Sequence, residues 1–197
     1  KSNLLTVEVQ GNKTDVVVDE LAKNPYVTGV TRTSVLIASN NLQGVPLKRQ
    51  RGGEPEGNDW INCAAVDENY IPVMGLQLVA GENFEKMAKG VRENAIIVNE
   101  KALEPFQLGT AAEAIGKTLW LNDSTPVAVR GVLKDFNYRI LEERIEPFAL
   151  RCAPMEHHLI HVRIAPGDPQ KAMASLEASW NKLDVIHEFK ATFMEES

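Results

Sequence analysis

The sequence predicts an α+β protein: one α/β layer built from both chain ends, with a β-rich subdomain inserted between them. Three observations carry this prediction. Residues 1–45 read strand, helix, strand; residues 158–194 repeat the pattern; residues 46–140 are rich in short strands and turns. Neither end unit can bury its helix alone, so the two are expected to join into a single layer pair.

Leu4 to Val9 alternates enough for a strand. Thr14 or Asp15 can open a helix running to about Lys23, with Val17, Val18 and Leu21 on one face. Three consecutive valines weaken that helix, because β-branched side chains lose rotamer freedom there. Asn24-Pro25 ends it, and Tyr26 to Ala38 is extended. In the middle, Trp60 to Val66 reads as a strand, followed by a short helix from Asp67 to Met74 and an extended run from Leu76 to Val79. Asp67 can cap that helix through its carboxylate. Gly75 can close it in the left-handed conformation, and Gly81 allows a tight turn before Phe84. Ala95 to Val98 is a further strand, after which Asn99 caps a short helix limited by Pro105. Gly116 to Leu121 and Val127 to Leu133 are strands separated by an Asn-Asp-Ser turn. Near the end, His158 to Ile164 is a strand, and Asp168-Pro169 supplies a capping carboxylate with proline at the first helical position. Met173, Leu176, Trp180 and Leu183 then form one apolar stripe. His187 to Met194 closes the chain as a strand, with Phe189, Ala191 and Phe193 on one face.

With 197 residues, 44% of them apolar, the chain can fill one full-sized core or two modest ones. Its net charge of −6 and pI near 5.3 disfavour a nucleic-acid partner or a broad anionic surface. The densest basic cluster, Lys48, Arg49 and Arg51, runs into Gly52, Gly53, Glu54, Pro55, Glu56 and Gly57, and reads as a solvated mobile loop. No stretch reaches the roughly 18 apolar residues of a membrane helix. No signal peptide is visible, and both ends look cut from a longer protein. Cys63 and Cys152 lie inside apolar runs and read as buried, inert thiols, with a disulfide left open.

The candidates for chemistry each meet a plainer explanation. Ala111 to Thr118, AAEAIGKT, matches a relaxed phosphate loop ending at Gly116-Lys117. That loop needs a strand before it and a helix after it, whereas a strand, Leu119 to Leu121, follows here. His157, His158 and His161 suggest a metal. In a strand, however, His157 and His161 sit about 13 Å apart, beyond the reach of one ion unaided, so exposed strand histidines are expected. Asp135, Glu142, Glu143 and Glu146 are the densest acids, and a charged outer helix face accounts for them more simply than a hydrolase cleft. No nucleophile elbow occurs. Asn12 and Asn122 stand in glycosylation sequons.

Read in order, four groups resemble a known series: Tyr70, Gly75, Gly81 and Phe84; Val98, Asn99 and Glu100; Ile115, Gly116 and Lys117; Gly131, Val132, Asp135 and Phe136. The chain resembles, over nearly its whole length, the extracytoplasmic core domain of MacB-type, FtsX-like ABC transporter permeases. The resemblance implies a porter-like α/β layer from both chain ends (1–45 and 141–197) and an inserted β-rich, sabre-like subdomain (46–140). It implies no catalytic, cofactor or metal residues, and a structural role for Gly116 and Lys117. It also implies a place outside the membrane between flanking helices, one before Lys1 and three after Ser197. The implied partners are those helices, a cytoplasmic ATP-binding subunit or domain, and a second permease copy, a periplasmic adaptor or cargo. The competing expectations are a small carboxylate-dependent hydrolase and a free-standing binding module.

Overall fold

The computed structural model describes residues 3–36, 42–53, 59–136, 144–153 and 157–194. Ala38, Glu54 to Gly57, Glu142 and Glu143, together with the extreme ends, lie outside the described residues. The chain divides into two compact units: Lys1–Ser34 with Asn69–Gly75 and Glu156–Ser197, and Val35–Glu68 with Leu76–Met155.

The first unit is a four-stranded antiparallel sheet covered by helices. Its strands are β1 (Leu4–Glu8), β2 (Val27–Thr33), β10 (Leu159–Ile164) and β11 (Ala191–Phe193), in the spatial order β11-β1-β10-β2. β10 fills the slot between β1 and β2, and β1 fills the slot between β10 and β11. Each chain end is therefore a split strand–helix–strand unit completed by the other. This interlock is the physical reason that neither end can fold alone. Helices α1 (Thr14–Ala22) and α4 (Pro169–Leu183) bury Val17, Leu21, Leu176 and Trp180 against Leu5, Val7, Ile160 and Val162. α1 forms despite its valines because tertiary burial outweighs propensity. Asp168 caps α4 by accepting from the backbone of Gln170 at 2.9 Å. Between the helices, the buried Asn24 donates to the hydroxyls of Ser175 and Ser179, both at 3.0 Å.

The second unit has seven strands: β3 (Gln43–Lys48), β4 (Trp60–Ala65), β5 (Leu78–Gly81), β6 (Ala95–Asn99), β7 (Thr118–Leu121), β8 (Thr125–Leu133) and β9 (Phe148–Arg151). β7 pairs with β3 on one side and β8 on the other, so β8-β6-β9-β4-β3-β7 closes on itself. Closure removes the exposed edges of those strands. Leu47, Ile61, Ile96, Val98, Leu119, Leu121, Val127 and Val129 fill the interior. The β7–β8 hairpin turns at Asn122 and Asp123, both at positive φ (49° and 61°), the central positions of a primed turn that Ser124 N–H closes on the Leu121 carbonyl.

The boundaries differ from the 1–45/46–140/141–197 division in three places, the first at β3, which starts at Gln43 and belongs with the barrel. β9 belongs with the barrel: Phe148, Ala149 and Leu150 are wholly buried, and the strand pairs with β4 and β6. The helix α2 (Tyr70–Met74) belongs with the chain-end unit. The basic segment is also better fixed than a mobile loop over its described part. Asp123 accepts from the backbone of Gly52 at 2.7 Å, and Lys48 donates to the Gly53 carbonyl at 3.3 Å.

Candidate functional site

The residues that carry the family resemblance sit at joints between elements, and most are spent on the backbone. α2 starts at Tyr70, not at Asp67, and its N-cap Asn69 makes no side-chain cap bond. Pro72 explains the later start. It has no N–H to give, which is harmless in the first turn of a helix but breaks a bond further in. Gly75 closes the helix at φ 69°, ψ 26°. Three contacts seat α2 on its sheet: Tyr70 is fully buried, with its ring centroid 6.1 Å from that of His161; Arg163 Nε donates to the Val73 carbonyl at 2.7 Å; and Val73 covers Gly29. A Cβ at Gly29 would lie 2.9 Å from Val73 Cγ2.

In the barrel, Gly81 stands opposite Gly131 at φ 74°, and a Cβ on it would fall 2.1 Å from the Arg130 carbonyl oxygen. The glycine is required there by both backbone angle and space. Asn99 does not cap the short 3-10 turn after it. Its buried amide donates to the Glu146 carbonyl at 2.9 Å and accepts from the Phe148 N–H at 2.9 Å, tying β6 to the start of β9. Glu100 and Asp135 form a reciprocal clasp: Glu100 Oε1 accepts from the Asp135 N–H at 3.0 Å, and Asp135 Oδ1 accepts from the Lys101 N–H at 3.1 Å. Phe136 meets Phe148 edge-on at 6.1 Å.

At the phosphate-loop match, the helix α3 (Ala111–Ala114) carries a capping box between Thr110 and Glu113, which holds the Glu113 carboxyl below its usual range. Gly116 N–H donates to the Val129 carbonyl at 2.8 Å, and Lys117 Nζ donates to the Leu108 carbonyl at 2.8 Å. The lysine that would meet a phosphate is thus fastened to the barrel wall, and a strand, β7, follows.

The histidines correct one expectation. His158 is exposed and His157 half-buried, but His161 is completely buried. Burial pushes its pKa down to about 4, so the ring is neutral at ordinary pH. Its Nδ1 lies 3.2 Å from the Thr6 hydroxyl. Among the described residues no cluster of three or more His, Cys, Asp or Glu could hold a metal. Asp135 is committed to its clasp, and Glu142 and Glu143 lie outside the described residues, so no acid pair facing a cleft is assembled among those described. Cys63 and Cys152 are free; burial raises both thiols, Cys152 to about 11, which keeps them unreactive. Asn12, the first sequon, donates to Asp184 at 2.7 Å and to the Val9 carbonyl at 3.1 Å.

One feature that sequence reasoning missed is a buried bidentate ion pair. Arg151 Nε and Nη2 each donate to the Glu93 carboxylate at 2.8 Å, and this partner raises the Arg151 pKa further. An arginine directly after the apolar run Phe148 to Leu150 was its only sequence signal. No described helix is long and apolar enough to cross a membrane.

Comparison with known proteins agrees with this geometry. The chain is 28% identical over 116 residues to the macrolide export ATP-binding/permease protein MacB of Rhodopseudomonas palustris (strain HaA2). That match covers 58% of the chain and only 15% of the relative's length. The fold is similar to the periplasmic region of MacB from Actinobacillus actinomycetemcomitans, with a TM-score of 0.64 and 17% identity, covering 97% of this chain and 88% of that one. It is equally similar to the extracellular domain of the noncanonic ABC-type transporter YknZ from Gram-positive bacteria, with a TM-score of 0.64 and 17% identity, covering 98% of this chain and all of that one. Residues 1–179 match the family described as MacB-like periplasmic core domain, and the chain belongs to that family.

Proposed function

We propose that this chain is the non-catalytic extracytoplasmic domain of an ABC transporter permease, coupling cytoplasmic ATP hydrolysis to movement outside the membrane. The observation that carries the reading is what the family-motif residues do. Asn99, Glu100, Asp135 and Lys117 are all committed to backbone hydrogen bonds between elements, and the glycines to close approach or turn closure. A domain that relays displacement needs joints of this kind, because packed and hydrogen-bonded elements transmit strain. The permease would hold it between membrane helices, one before residue 1 and three after residue 197. A separate ATP-binding subunit or domain would supply the energy. Export, lipoprotein handling and signalling are the outputs open to it.

Protease accessibility in spheroplasts of cells making the full-length protein tests the placement. External proteinase should cut within this domain while the membrane is intact. Protection until lysis would contradict it. Nucleotide binding tests the non-catalytic part: the isolated chain should show no ATP binding, and detectable binding abolished by Lys117→Ala would overturn the reading.

A further inference from the structure

The outer face of three barrel strands carries large aromatic and cationic side chains outside the core. In β3, Pro46 and Lys48 flank the core residue Leu47 and so point outward. The register sets Trp60 of β4 opposite Pro46, and Trp120 of β7 opposite Lys48. Pro126 of β8 stands on the other side of Trp120. Two indoles and two prolines therefore share one face, with the indoles two strand spacings across and two residues along, roughly 12 Å apart.

Trp60 is 64% exposed. Its ring lies over Gly44, where a Cβ would meet the indole at 3.2 Å. The glycine lets the ring approach the sheet with much of its surface open to solvent. Arg51 places its guanidinium 5.6 Å over the centre of the Trp120 ring, and among the described residues no carboxylate pairs with it. Lys48 at the same edge is paired with Asp123 at 3.9 Å and donates to the Gly53 carbonyl, so Arg51 is the cation the face presents. Exposed tryptophan beside arginine is the pairing that concentrates energy at protein interfaces. On a chain of net charge −6, a basic aromatic strip is the local exception. Its complement is acidic and carries a flat apolar group. An anionic bilayer is a poorer match, since basic lipid-binding segments bring about four to eight cations together.

We propose that the outer face of β4, β3 and β7 docks an acidic protein segment, one of whose aromatic side chains stacks on Trp60 while a carboxylate meets Arg51. This surface is independent of the coupling reading: either can fail without the other.

The test uses the 197-residue chain and random copolymers as probes, with binding followed by tryptophan fluorescence and calorimetry. A glutamate–tyrosine copolymer should bind saturably and more weakly as salt rises. Polyglutamate should bind less well, and a lysine–tyrosine copolymer should not bind. Trp60→Ala and Arg51→Glu should each weaken the glutamate–tyrosine interaction by about tenfold or more, the loss expected at an interface hot spot. Both variants should melt like the parent, because neither side chain lies in the core. Absence of saturable binding, or binding that both variants leave unchanged, would overturn the proposal. So would phosphatidylglycerol vesicles binding through the same residues in preference to the copolymer, which would make the face lipid-binding.

Discussion

Asn99 bonds at both ends of its side-chain amide, inside the barrel unit, to backbone groups at the start of β9. Removing the amide strands the buried Phe148 N–H and takes one donor from the Glu146 carbonyl, and an unsatisfied buried group costs about 1–3 kcal/mol. Asn99→Ala should therefore lower unfolding stability by about that amount in denaturant titration, and a neutral result would mean that water replaces the amide. His161 makes a second prediction at this scale. Its folded pKa is about 4 against about 6.5 in an unfolded chain. Between those values the unfolded state binds the extra proton, so stability rises with pH and falls on acidification. Lowering the pH from 7 to 4.5 should cost about 2–3 kcal/mol through this residue. The contribution is read as the difference between the parent and His161→Phe unfolding curves. Identical pH slopes would show that the ring is not protonated on unfolding in that window. Sequence alone did not reveal this burial. The face of β10 that carries His161 is covered by Tyr70 of α2, which comes from much earlier in the chain, so nothing local marks this histidine as buried.

The elements differ in how plainly the chain announces them. α4 was legible because cap, proline and apolar stripe all agree: Asp168 bonds the first turn, and Leu176 and Trp180 lie in the core. Trp180 is wholly buried, and its indole N–H reaches the His187 carbonyl at 2.9 Å. Trp180→Ala should cost on the order of 3–5 kcal/mol, and a loss below about 1 kcal/mol would show that the ring is not part of the core. The start of α2 misled because Asp67 is a good cap by type, while Pro72 decides where helical bonding can begin. The Gly81–Gly131 contact was visible only as two glycines. Their need for each other comes from β5 lying against β8 across 50 positions of sequence. Gly81→Ala must adopt an unfavourable φ and displace the Arg130 carbonyl, so a loss above about 2 kcal/mol is expected in thermal or denaturant unfolding.

At the scale of the molecule, the strand–helix–strand pattern of each chain end was legible because its contacts are local and amphipathic. Its joining to the other end was legible because each half lacks a partner for its sheet. The barrel was legible as β-rich but not as closed, since the pairings of β9 with β4 and β6 connect positions far apart in sequence. The particular bond that holds Lys117, to the Leu108 carbonyl, also became clear only with the pairings in place. The central claim concerns movement relayed through a domain that binds no nucleotide. Hydrogen exchange over residues 3–194 of the full-length permease, compared between its nucleotide-free and ATP-trapped states, tests it most directly. Protection within this domain should change in the trapped permease, and should not change in the isolated chain given the same ATP. Unchanged exchange in the trapped permease, or a response to ATP by the isolated chain, would contradict it.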